Sequence, residues 1–353
     1  MKTIGVLFGM ENSFPGALVE HINARNVEGI RAEFVQTGAV HMDRPPRYAV
    51  IVDRISHDIP FYRAFLKHAA LHGTIIINNP FWWSADDKFF NYTLATKLGV
   101  AVPPTVILPH KNYPEGTTER SMCNLEYPLD WDSVFAYVGE HGFMKPVHGG
   151  GWRDVYHIHN REEFFHAYDQ TGNLAMMYQK AVNFQEYFRC YVVGQKKVHI
   201  MPYEPRNPHH ERYIQNPPAY DKKLLKRVEQ DALRLCHALG YDLNTVEFAV
   251  EDGIPYAIDF MNPAPDADLQ SVGQANFEWI VREVSDLAIA KAKHAPKMLD
   301  LNWASFLNAA PASKPARKAA AKKPAISKPK ESARTKSAET PEQDVTVSVQ
   351  GIA

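Results

Sequence analysis

Short apolar runs alternate with amphipathic segments over the first eighty residues of the chain. The apolar runs predict buried β-strands at residues 3–8, 31–36, 48–52 and 74–78. The amphipathic segments predict helices at residues 15–24 and 61–72. This alternation is typical of a parallel sheet with helices on both faces. Because ligands of such sheets bind beyond the carboxyl ends of the strands, we expect a substrate surface in the loops 9–14, 53–57 and 78–83.

Beyond residue 84 the pattern changes to two mixed lobes of helices and strands. In the first lobe a helix capped by Ser84-Ala85-Asp86-Asp87 runs through Leu98. Its other elements are predicted helices at 131–141 and 161–171 and strands at 100–108, 142–146 and 155–159. The second lobe has strands at 189–193 and 198–203, a polar loop at 204–218, a helix at 221–239 and a hairpin of strands 245–250 and 256–263. The Asp-Gly pair at its turn favours that hairpin.

Length and composition limit the class of protein. With 353 residues, 45% of them hydrophobic, the chain is long enough for two or three globular domains. No apolar run approaches the ~20 residues that span a bilayer, and the first run is too short for a signal peptide. The cysteines Cys123, Cys190 and Cys236 lack CxxC spacing, which argues against a disulfide framework or a zinc site. We therefore expect a cytoplasmic protein that does not engage a membrane.

Residues 309–353 differ in composition from the rest of the chain. Between residues 313 and 337 there are nine basic residues and one acidic residue, with many alanines, prolines and serines. Such a segment has too little apolar surface to offset the entropy of ordering, so we expect a disordered tail. It serves either as a solubilising tether or as a weak binding segment for a polyanion such as nucleic acid.

The most informative motif follows the predicted strand at 142–146. Lys145 precedes a run of three glycines, Gly149, Gly150 and Gly151, and Trp152 comes directly after them. Glycines let backbone N–H groups turn toward an anion, and the lysine adds a positive charge. The motif predicts a phosphate-binding loop, although glycine runs also form ordinary turns. Trp152 then either moves with a closing loop or packs against the body of the protein.

Other polar residues occur at positions that fit the same nucleotide site. Lys88 lies near the start of a predicted helix and is expected to face the crevice. The predicted hairpin carries Glu247, Asp259 and Asn262. Their oxygen atoms suit Mg²⁺, which proteins usually hold with one or two carboxylates together with substrate phosphates. The alternative is that these are exposed hairpin residues without a ligand.

Together, these residues resemble the ATP-grasp superfamily, in particular its branch of carboxylate–amine ligases with glutathione synthetase and the ribosomal-protein glutamate ligase. The resemblance covers roughly residues 75–290 and rests on the order and spacing of the motifs. It implies an α/β and α+β fold in four parts: a Rossmann-like N-terminal domain at 1–85, a small lobe with a glycine-rich lid at 86–175, a C-terminal lobe at 176–308 and the disordered basic tail at 309–353.

The resemblance also implies roles for individual residues in binding ATP and Mg²⁺ or Mn²⁺. The two phosphate-contacting lysines would be Lys88 and Lys145, and the three glycines would form the lid. The adenine-binding hinge would be Gln179, Lys180 and Val182, with Glu186 on the ribose. Arg189 would act with Lys145 as a catalytic residue at the transferring phosphoryl group, and the metal ligands would be Glu247, Asp259 and Asn262.

Two spacings depart from the family pattern. Family members place the second metal carboxylate two residues before the asparagine, whereas Asp259 lies three before Asn262. Either one residue bulges out of the strand or one ligand differs. In the protein-glutamylating branch, an acidic residue lies two positions before the arginine, whereas Glu186 lies three before Arg189.

The implied activity is ligation of a small-molecule or peptide carboxylate to an amine through an acyl-phosphate, with release of ADP and phosphate. Arg206 and Arg212 are candidates for binding the substrate, because a guanidinium suits a carboxylate or phosphate. Nearby His209 and His210 are either surface residues or substrate contacts. The sequence leaves open a kinase that phosphorylates a hydroxyl, and a non-catalytic ATP-binding scaffold with a polyanion-binding tail. It also leaves open the substrates and whether the protein is a homo-oligomer.

Overall fold

Three four-stranded sheets form the framework of the protein in the computed structural model, which describes residues 1–82 and 87–294. The first sheet is parallel, with the order β2-β1-β3-β4. Its strands are β1 (Lys2–Leu7), β2 (Ile30–Phe34), β3 (Tyr48–Asp53) and β4 (Ile75–Ile77). Helix α1 (Phe14–Ala24) packs its Leu18 with Ile4 on one face, and α2 (Pro60–Leu71) packs its Leu66 with Ile51 on the other. The predicted parallel α/β arrangement is confirmed, while the Rossmann-like assignment stays a prediction.

The second sheet is antiparallel, with the order β5-β8-β6-β7. Helix α3 (Lys88–Lys97) precedes it, and its strands are β5 (Thr105–Leu108), β6 (Gly142–Pro146), β7 (Tyr156–Ile158) and β8 (Met176–Lys180). Two helices, α4 (Trp131–Val138) and α5 (Arg161–Gln170), supply apolar residues to the core of this sheet. Because β8 pairs with both β5 and β6, this sheet extends to Lys180. The lobe boundary predicted at residue 175 falls just before β8 and stays a prediction.

The third sheet is also antiparallel, with the order β10-β9-β11-β12. Its strands are β9 (Glu186–Val193), β10 (Lys197–Pro202), β11 (Leu243–Glu251) and β12 (Ile254–Asp259). Helix α6 (Lys222–Leu239) packs its apolar side on the face that carries Phe188 and Phe248. Alternation along the strands places Arg189 and Glu247 on the opposite face.

Two helices at the end of the described chain connect the third sheet to the first. They are the short α7 (Leu269–Val272) and the long α8 (Gln274–Lys293). Val284 and Ala288 of α8 belong to one buried cluster with Ile4 of β1 and Tyr191 of β9. Asn78 adds a polar link, because its buried side chain accepts hydrogen bonds from the backbone of Asp242 and Leu243, at 2.8 Å each.

Some predicted elements differ from the structure for local reasons. The strand predicted at 100–108 forms only at Thr105–Leu108, because Pro103 and Pro104 have no N–H to donate. The helix predicted at 131–141 ends at Val138, since Gly139 takes a positive φ of 92°. The strand that carries Arg189 begins three residues earlier, at Glu186. The prediction included neither α7 nor α8.

The structure leaves some predicted features untested. Trp83, residues 84–86 of the predicted helix cap, and residues 295–353 with the whole predicted tail lie outside the described residues. Within residues 1–82 and 87–294, none of the helices has the length and apolar character that a membrane span requires.

Candidate active site

A cavity of about 220 Å³ lies between residues of the second sheet and residues of the third. The lining includes most of the residues predicted to bind nucleotide and metal. They are Lys88, Lys145, Gly149, Gly150, Gly151, Gln179, Lys180, Val182, Glu247 and Asp259. Residues separated by up to 171 positions in sequence are therefore brought to one site.

Lys145 extends from β6 into the cavity and is held by two polar groups. Its Nζ donates to Gln179 Oε1 at 3.0 Å and to the Tyr92 hydroxyl at 3.1 Å. Burial lowers the pKa of Lys145 to about 8, although the carboxylates of Asp259 and Glu247 favour its charged form. A lysine that has lost much of its hydration here is positioned to gain from an incoming anion.

Lys88 forms the first turn of α3 and contacts the glycine loop. Asp87 caps this helix, since its side chain accepts from the Phe90 N–H at 2.9 Å. The Lys88 backbone N–H donates to Val147 at 3.1 Å, and its Nζ donates to the carbonyl of Gly149. Burial is also the main cause that lowers the pKa of Lys88, with Lys145 acting in the same direction and Asp259 against it.

The glycine loop between β6 and β7 has a backbone that requires its glycines. Gly149 and Gly151 take φ values of 90° and 69°, in the region that favours glycine. Trp152 follows in the same region with φ of 61°, lines the cavity and is 71% exposed. An exposed indole at the cavity contributes little to the core of the protein, which favours the prediction that Trp152 acts as part of a cover.

A β-bulge brings two carboxylates opposite each other. Glu247 of β11 pairs with Asp259 of β12, whereas the next pair along the strands is Phe248 with Ala257. Ile258 is the extra residue, and both Ile258 and Asp259 line the cavity. Of the two sequence alternatives for the shifted spacing, the structure has the bulge. The Tyr92 hydroxyl donates to the Ile258 carbonyl, so the same tyrosine contacts the bulge and Lys145.

Glu247 is held by two neighbours on β9. Arg189 Nε lies 3.1 Å from Glu247 Oε1, and the Tyr187 hydroxyl donates to Oε2 at 2.6 Å. Burial raises the pKa of Glu247, as does Asp259, while Arg189 lowers it. Arg189 also donates to the Tyr213 hydroxyl at 3.0 Å and lies over the ring of Tyr203. Although Arg189 is next to Glu247, it is not among the residues that line the cavity.

Asp259 differs from Glu247 in its surroundings. It is exposed, and its carboxylate makes neither a hydrogen bond nor an ion pair with a side chain in residues 1–82 and 87–294. An unpaired carboxylate beside a second, half-buried one offers oxygen ligands of the kind that Mg²⁺ prefers. The residues present therefore fit a divalent cation held by Glu247 and Asp259.

The predicted hinge forms the apolar end of the cavity. Val182 lines it together with Phe143, Phe184 and Ala249. Gln179 is buried, and its side chain bridges Lys145 and Thr105 instead of pointing outward to a ligand, with Nε2 donating to the threonine hydroxyl at 2.8 Å. Gln179 therefore positions the lysine from the side of β5.

Besides Arg189, four predicted site residues are not brought to the cavity lining. Glu186 pairs with Val250 on the face of the third sheet that α6 covers, opposite to Tyr187. The backbone N–H of Asn262 donates to Asn244 Oδ1 at 2.9 Å. Arg206 is exposed, pairs with Glu204 and stacks on the ring of the cavity residue Phe184. The half-buried Arg212 donates to the Asn207 carbonyl at 3.0 Å.

The loops predicted to form the acceptor surface lie elsewhere. Arg54, almost fully buried, forms an ion pair with Glu11 and donates to the carbonyl of Pro265. None of the described residues of the loops 9–14, 53–57 and 78–82 lines the cavity. Trp82 packs over Gly240 at the end of α6, which agrees with a packing role for this aromatic.

Several residues at the site were missed by sequence analysis. Tyr92, Tyr187, Phe143 and Phe184 each contact or line the cavity. A signal was present for Tyr187, since it lies two positions before Arg189 on the same strand and therefore on the same face. Tyr92 lies one turn after Lys88 on α3, at the spacing of residues that share a helix face.

Comparison with solved structures gives matches along most of the chain. The D-Ala:D-Ser ligase VanG from Enterococcus faecalis superposes with a TM-score of 0.58 at 13% identity, covering 82% of this chain and 99% of that one. An ATP-grasp RimK domain protein from Sphaerobacter thermophilus gives 0.57 at 16% identity, covering 84% and 100%. The ATP-grasp ligase PsnB in complex with a minimal precursor, Mg and ADP gives 0.54 at 14% identity, covering 82% and 97%.

No protein-family model and no curated protein sequence matches the chain. The likeness to the three structures shows that the chain has the ATP-grasp fold, which confirms the resemblance found in its sequence.

Proposed function

We propose that the protein is an ATP- and Mg²⁺-dependent carboxylate–amine ligase. The observation that carries this proposal is one cavity in which two lysines and a glycine loop face two carboxylates. Lysine ammonium groups and turned glycine N–H groups favour phosphates, whereas paired carboxylates favour a divalent cation. A nucleoside triphosphate with its metal satisfies both sides of the cavity at once.

Solved structures with a similar fold also support this proposal. The VanG and PsnB structures are described as ligases, and the PsnB complex contains Mg, ADP and a precursor. ADP is the product that remains when a carboxylate takes the terminal phosphate of ATP. These neighbours favour ligation over the hydroxyl kinase and the non-catalytic scaffold that the sequence alone left open.

The proposed reaction has two steps. A substrate carboxylate oxygen attacks the terminal phosphorus of ATP, the bond to the bridging oxygen breaks, and ADP leaves. The amine then attacks the acyl carbon, inorganic phosphate leaves and the amine gives up a proton, so that an amide forms. Mg²⁺, held by Glu247 and Asp259, would neutralise phosphate charge during the first step.

The side chains of this chain would act mainly through position and charge. Lys145 and Lys88 would bind phosphate oxygens, with Lys145 oriented by Gln179 and Tyr92. Arg189 would approach the transferring phosphoryl group from behind Glu247, and the burial that separates it from water would strengthen its electrostatic attraction to that group. The wall of Phe143, Val182 and Phe184 would receive adenine. We keep Arg206 and Arg212 as candidates for binding the substrate carboxylate, Glu186 for ribose and Asn262 for metal.

The test is an activity search with a built-in control. The protein is incubated with ATP, Mg²⁺ and pools of amino acids, other carboxylates, amines and peptides, and ADP and phosphate are measured together with product masses. We expect ADP release and a product lighter than its two substrates by one water. The Lys145→Ala variant should lose both, whereas Lys111→Ala, at an exposed lysine paired with Asp169, should retain them.

Hydroxylamine gives a second readout, because it intercepts an acyl-phosphate as a hydroxamate. A hydroxamate that forms with ATP and the carboxylate alone, before any amine is added, supports the two-step reaction. A phosphorylated product that needs no amine and yields no hydroxamate would instead identify a kinase.

A further inference from the structure

Three histidines lie together on the β6–β7 hairpin and are not part of the cavity lining. His141 precedes β6, His157 lies in β7 and His159 follows it, and all three are exposed. One ligand atom of each lies within 4.8 Å of those of the other two, and the Nε2 atoms of His141 and His157 are 2.8 Å apart.

The strand register explains why these side chains meet. Phe143 pairs with His157 and Gly142 with Ile158, so His141 and His159 follow as the next opposed pair. Residues two apart on a strand share a face, which places His141, His157 and His159 on one side of the hairpin. The cluster is therefore a product of the backbone and does not depend on one side-chain rotamer.

Neighbouring groups orient two of the rings. The His157 ring stacks on Phe143 with centroids 4.5 Å apart and an interplanar angle of 7°. His159 Nδ1 lies 2.8 Å from Glu163 Oε2, and the same oxygen accepts from the His159 backbone N–H at 2.9 Å. A carboxylate can only accept there, so Nδ1 carries the proton and the lone pair of a neutral His159 ring is on Nε2. Metal-binding histidines commonly have this carboxylate partner.

We propose that His141, His157 and His159 bind a divalent transition-metal ion of the Zn²⁺ class at a site distinct from the proposed Mg²⁺ site. Imidazole nitrogens suit Zn²⁺, Co²⁺ and Ni²⁺, whereas Mg²⁺ and Ca²⁺ prefer oxygen ligands. Zinc bound at about 2.0–2.1 Å in a tetrahedron needs nitrogens about 3.3 Å apart. Small rotations of three exposed rings reach this geometry, and the fourth position faces solvent.

The site would connect two strands that flank the glycine loop. Strand β6 ends at Pro146 just before the loop, and β7 begins at Tyr156 just after it. The carbonyl of His141 accepts from the N–H of Ala181 at 3.1 Å, between the hinge residues Lys180 and Val182. Phe143, which supports the His157 ring, also lines the cavity. Bound metal would therefore hold β6 and β7 together where the glycine loop begins and ends, beside the nucleotide cavity.

The test measures Zn²⁺ binding to the full-length protein without a histidine tag, by equilibrium dialysis or calorimetry in excess Mg²⁺. We expect one zinc ion per chain above weaker background sites. His157→Ala and His141→Ala should each weaken that site by roughly 100-fold or more, and Glu163→Gln by about 10- to 100-fold. The matched control is His166→Ala, at an exposed histidine on α5 outside the cluster, and it should bind zinc like the unaltered protein.

Cobalt gives a structural readout, since Co²⁺ in a tetrahedral site absorbs visible light much more strongly than hydrated Co²⁺. The unaltered protein and His166→Ala should show these bands, and His157→Ala should not, while far-UV circular dichroism checks that each variant is folded. Equal zinc affinity in His157→Ala and His166→Ala would overturn the proposal. Loss of zinc binding in His68→Ala instead would also overturn it, by placing the ion at His68 of α2 and the neighbouring His72 that follows this helix.

Discussion

At the residue scale, the proposed site depends on charged groups that the fold has partly removed from water. Lys145, Glu247 and Arg189 each have a pKa that their surroundings shift, and each is held by at least one hydrogen bond or ion pair. Such groups gather at functional sites because the free-energy cost of their lost hydration is offset when the ligand binds. The titration of Lys145 and the contacts of Glu247 therefore yield direct tests.

Deprotonation of Lys145 should lower kcat/KM for ATP at alkaline pH. Burial lowers the pKa of Lys145 to about 8, so the free protein loses this positive charge as pH rises through that value. We expect kcat/KM for ATP to fall above about pH 8.

The contribution of Lys145 to the free energy of unfolding changes with pH in the opposite direction. Its folded pKa lies below the ordinary 10.5, so burial of its charge destabilises the fold at low pH, and this effect disappears as pH rises from 8 to 10.5.

Variants of Gln179 test whether Lys145 causes this alkaline limb of the kcat/KM profile. Its Oε1 accepts from Lys145 Nζ at 3.0 Å, so Gln179→Glu places a carboxylate beside the ammonium. The limb of the kcat/KM profile should then move upward by about one pH unit or more. Gln179→Leu removes the acceptor without adding charge and should not move the limb upward. An unchanged limb in Gln179→Glu would mean that Lys145 is not the titrating group.

Tyr187→Phe tests the proposed metal ligand Glu247 without replacing that residue. The hydroxyl donates to Glu247 Oε2 at 2.6 Å, and its loss should raise the pKa of Glu247 further and leave the carboxylate less well oriented. We expect the half-saturating Mg²⁺ concentration to rise about tenfold, with a smaller change in the KM for ATP. Magnesium titrations of activity measure this. Tyr203→Phe is the matched control, because that tyrosine meets Arg189 through its ring.

At the element scale, local sequence signals predicted most of the helices and strands. These signals failed where tertiary packing determines whether an element forms. Asp87, Asp221 and the Asp-Gly turn at Asp252 specify helix starts and a hairpin through short-range chemistry. Helix α8 was missed because its apolar residues face two different sheets, so its pattern has no single clear stripe. The bulge at Ile258 was left as one of two alternatives, since choosing it requires knowing that Tyr92 contacts the Ile258 carbonyl.

The same limit applies to the candidate site. The presence of the glycine loop, both lysines and both carboxylates at one cavity could be predicted, because the order and spacing of these residue types can be read from the sequence. Strand β9 begins earlier than predicted, and alternation turns Tyr187 toward the cavity, so Glu186 lies on the other face and its role at the ribose stays a prediction. Phe143 and Phe184 could not be distinguished from core residues, since apolar cavity walls and cores have the same composition.

The cap of α3 allows a test at this scale, because the helix start positions Lys88. Asp87→Ala removes the side-chain acceptor for the Phe90 N–H and should lower the unfolding free energy by about 1 kcal/mol. It should also raise the KM for ATP several-fold. Asp221→Ala removes the equivalent cap of α6, where the side chain accepts from Lys223 at 2.9 Å. This control should lose similar stability in thermal melts with no change in KM, and equal KM effects in both variants would contradict the role of the α3 cap.

At the scale of the whole molecule, the cavity is built from two sheets, while the third and first sheets are joined through α8 and Asn78. The side chain of Asn78 is buried and also donates to the Leu243 carbonyl at 2.7 Å, at the start of the strand that carries Glu247. The side of the cavity that carries Glu247 is thus fixed to a large common core. The lysine side belongs to the second sheet, whose Met144 packs in a core of its own. Tyr92 of α3 and Met177 of β8 pack in the core beneath the third sheet, so the two sides of the cavity are also in contact there.

A ligand that contacts both sides of the cavity should therefore stabilise the whole molecule. At 100 times its dissociation constant, a ligand that binds only the folded state adds about 2.7 kcal/mol. For a chain of this size we expect Mg²⁺ and ATP together to raise Tm by about 4 °C, and ATP without Mg²⁺ to raise it less, because repulsion between the phosphates and Asp259 is then not neutralised. Differential scanning fluorimetry measures both shifts.

Lys145→Ala should abolish most of the shift, and the surface variant Lys111→Ala should retain it. A full shift without any ADP release in the presence of substrate pools would support ATP binding and contradict the ligase activity. No shift at all would mean that the protein does not bind ATP, and a full shift in Lys145→Ala would place the nucleotide outside this cavity.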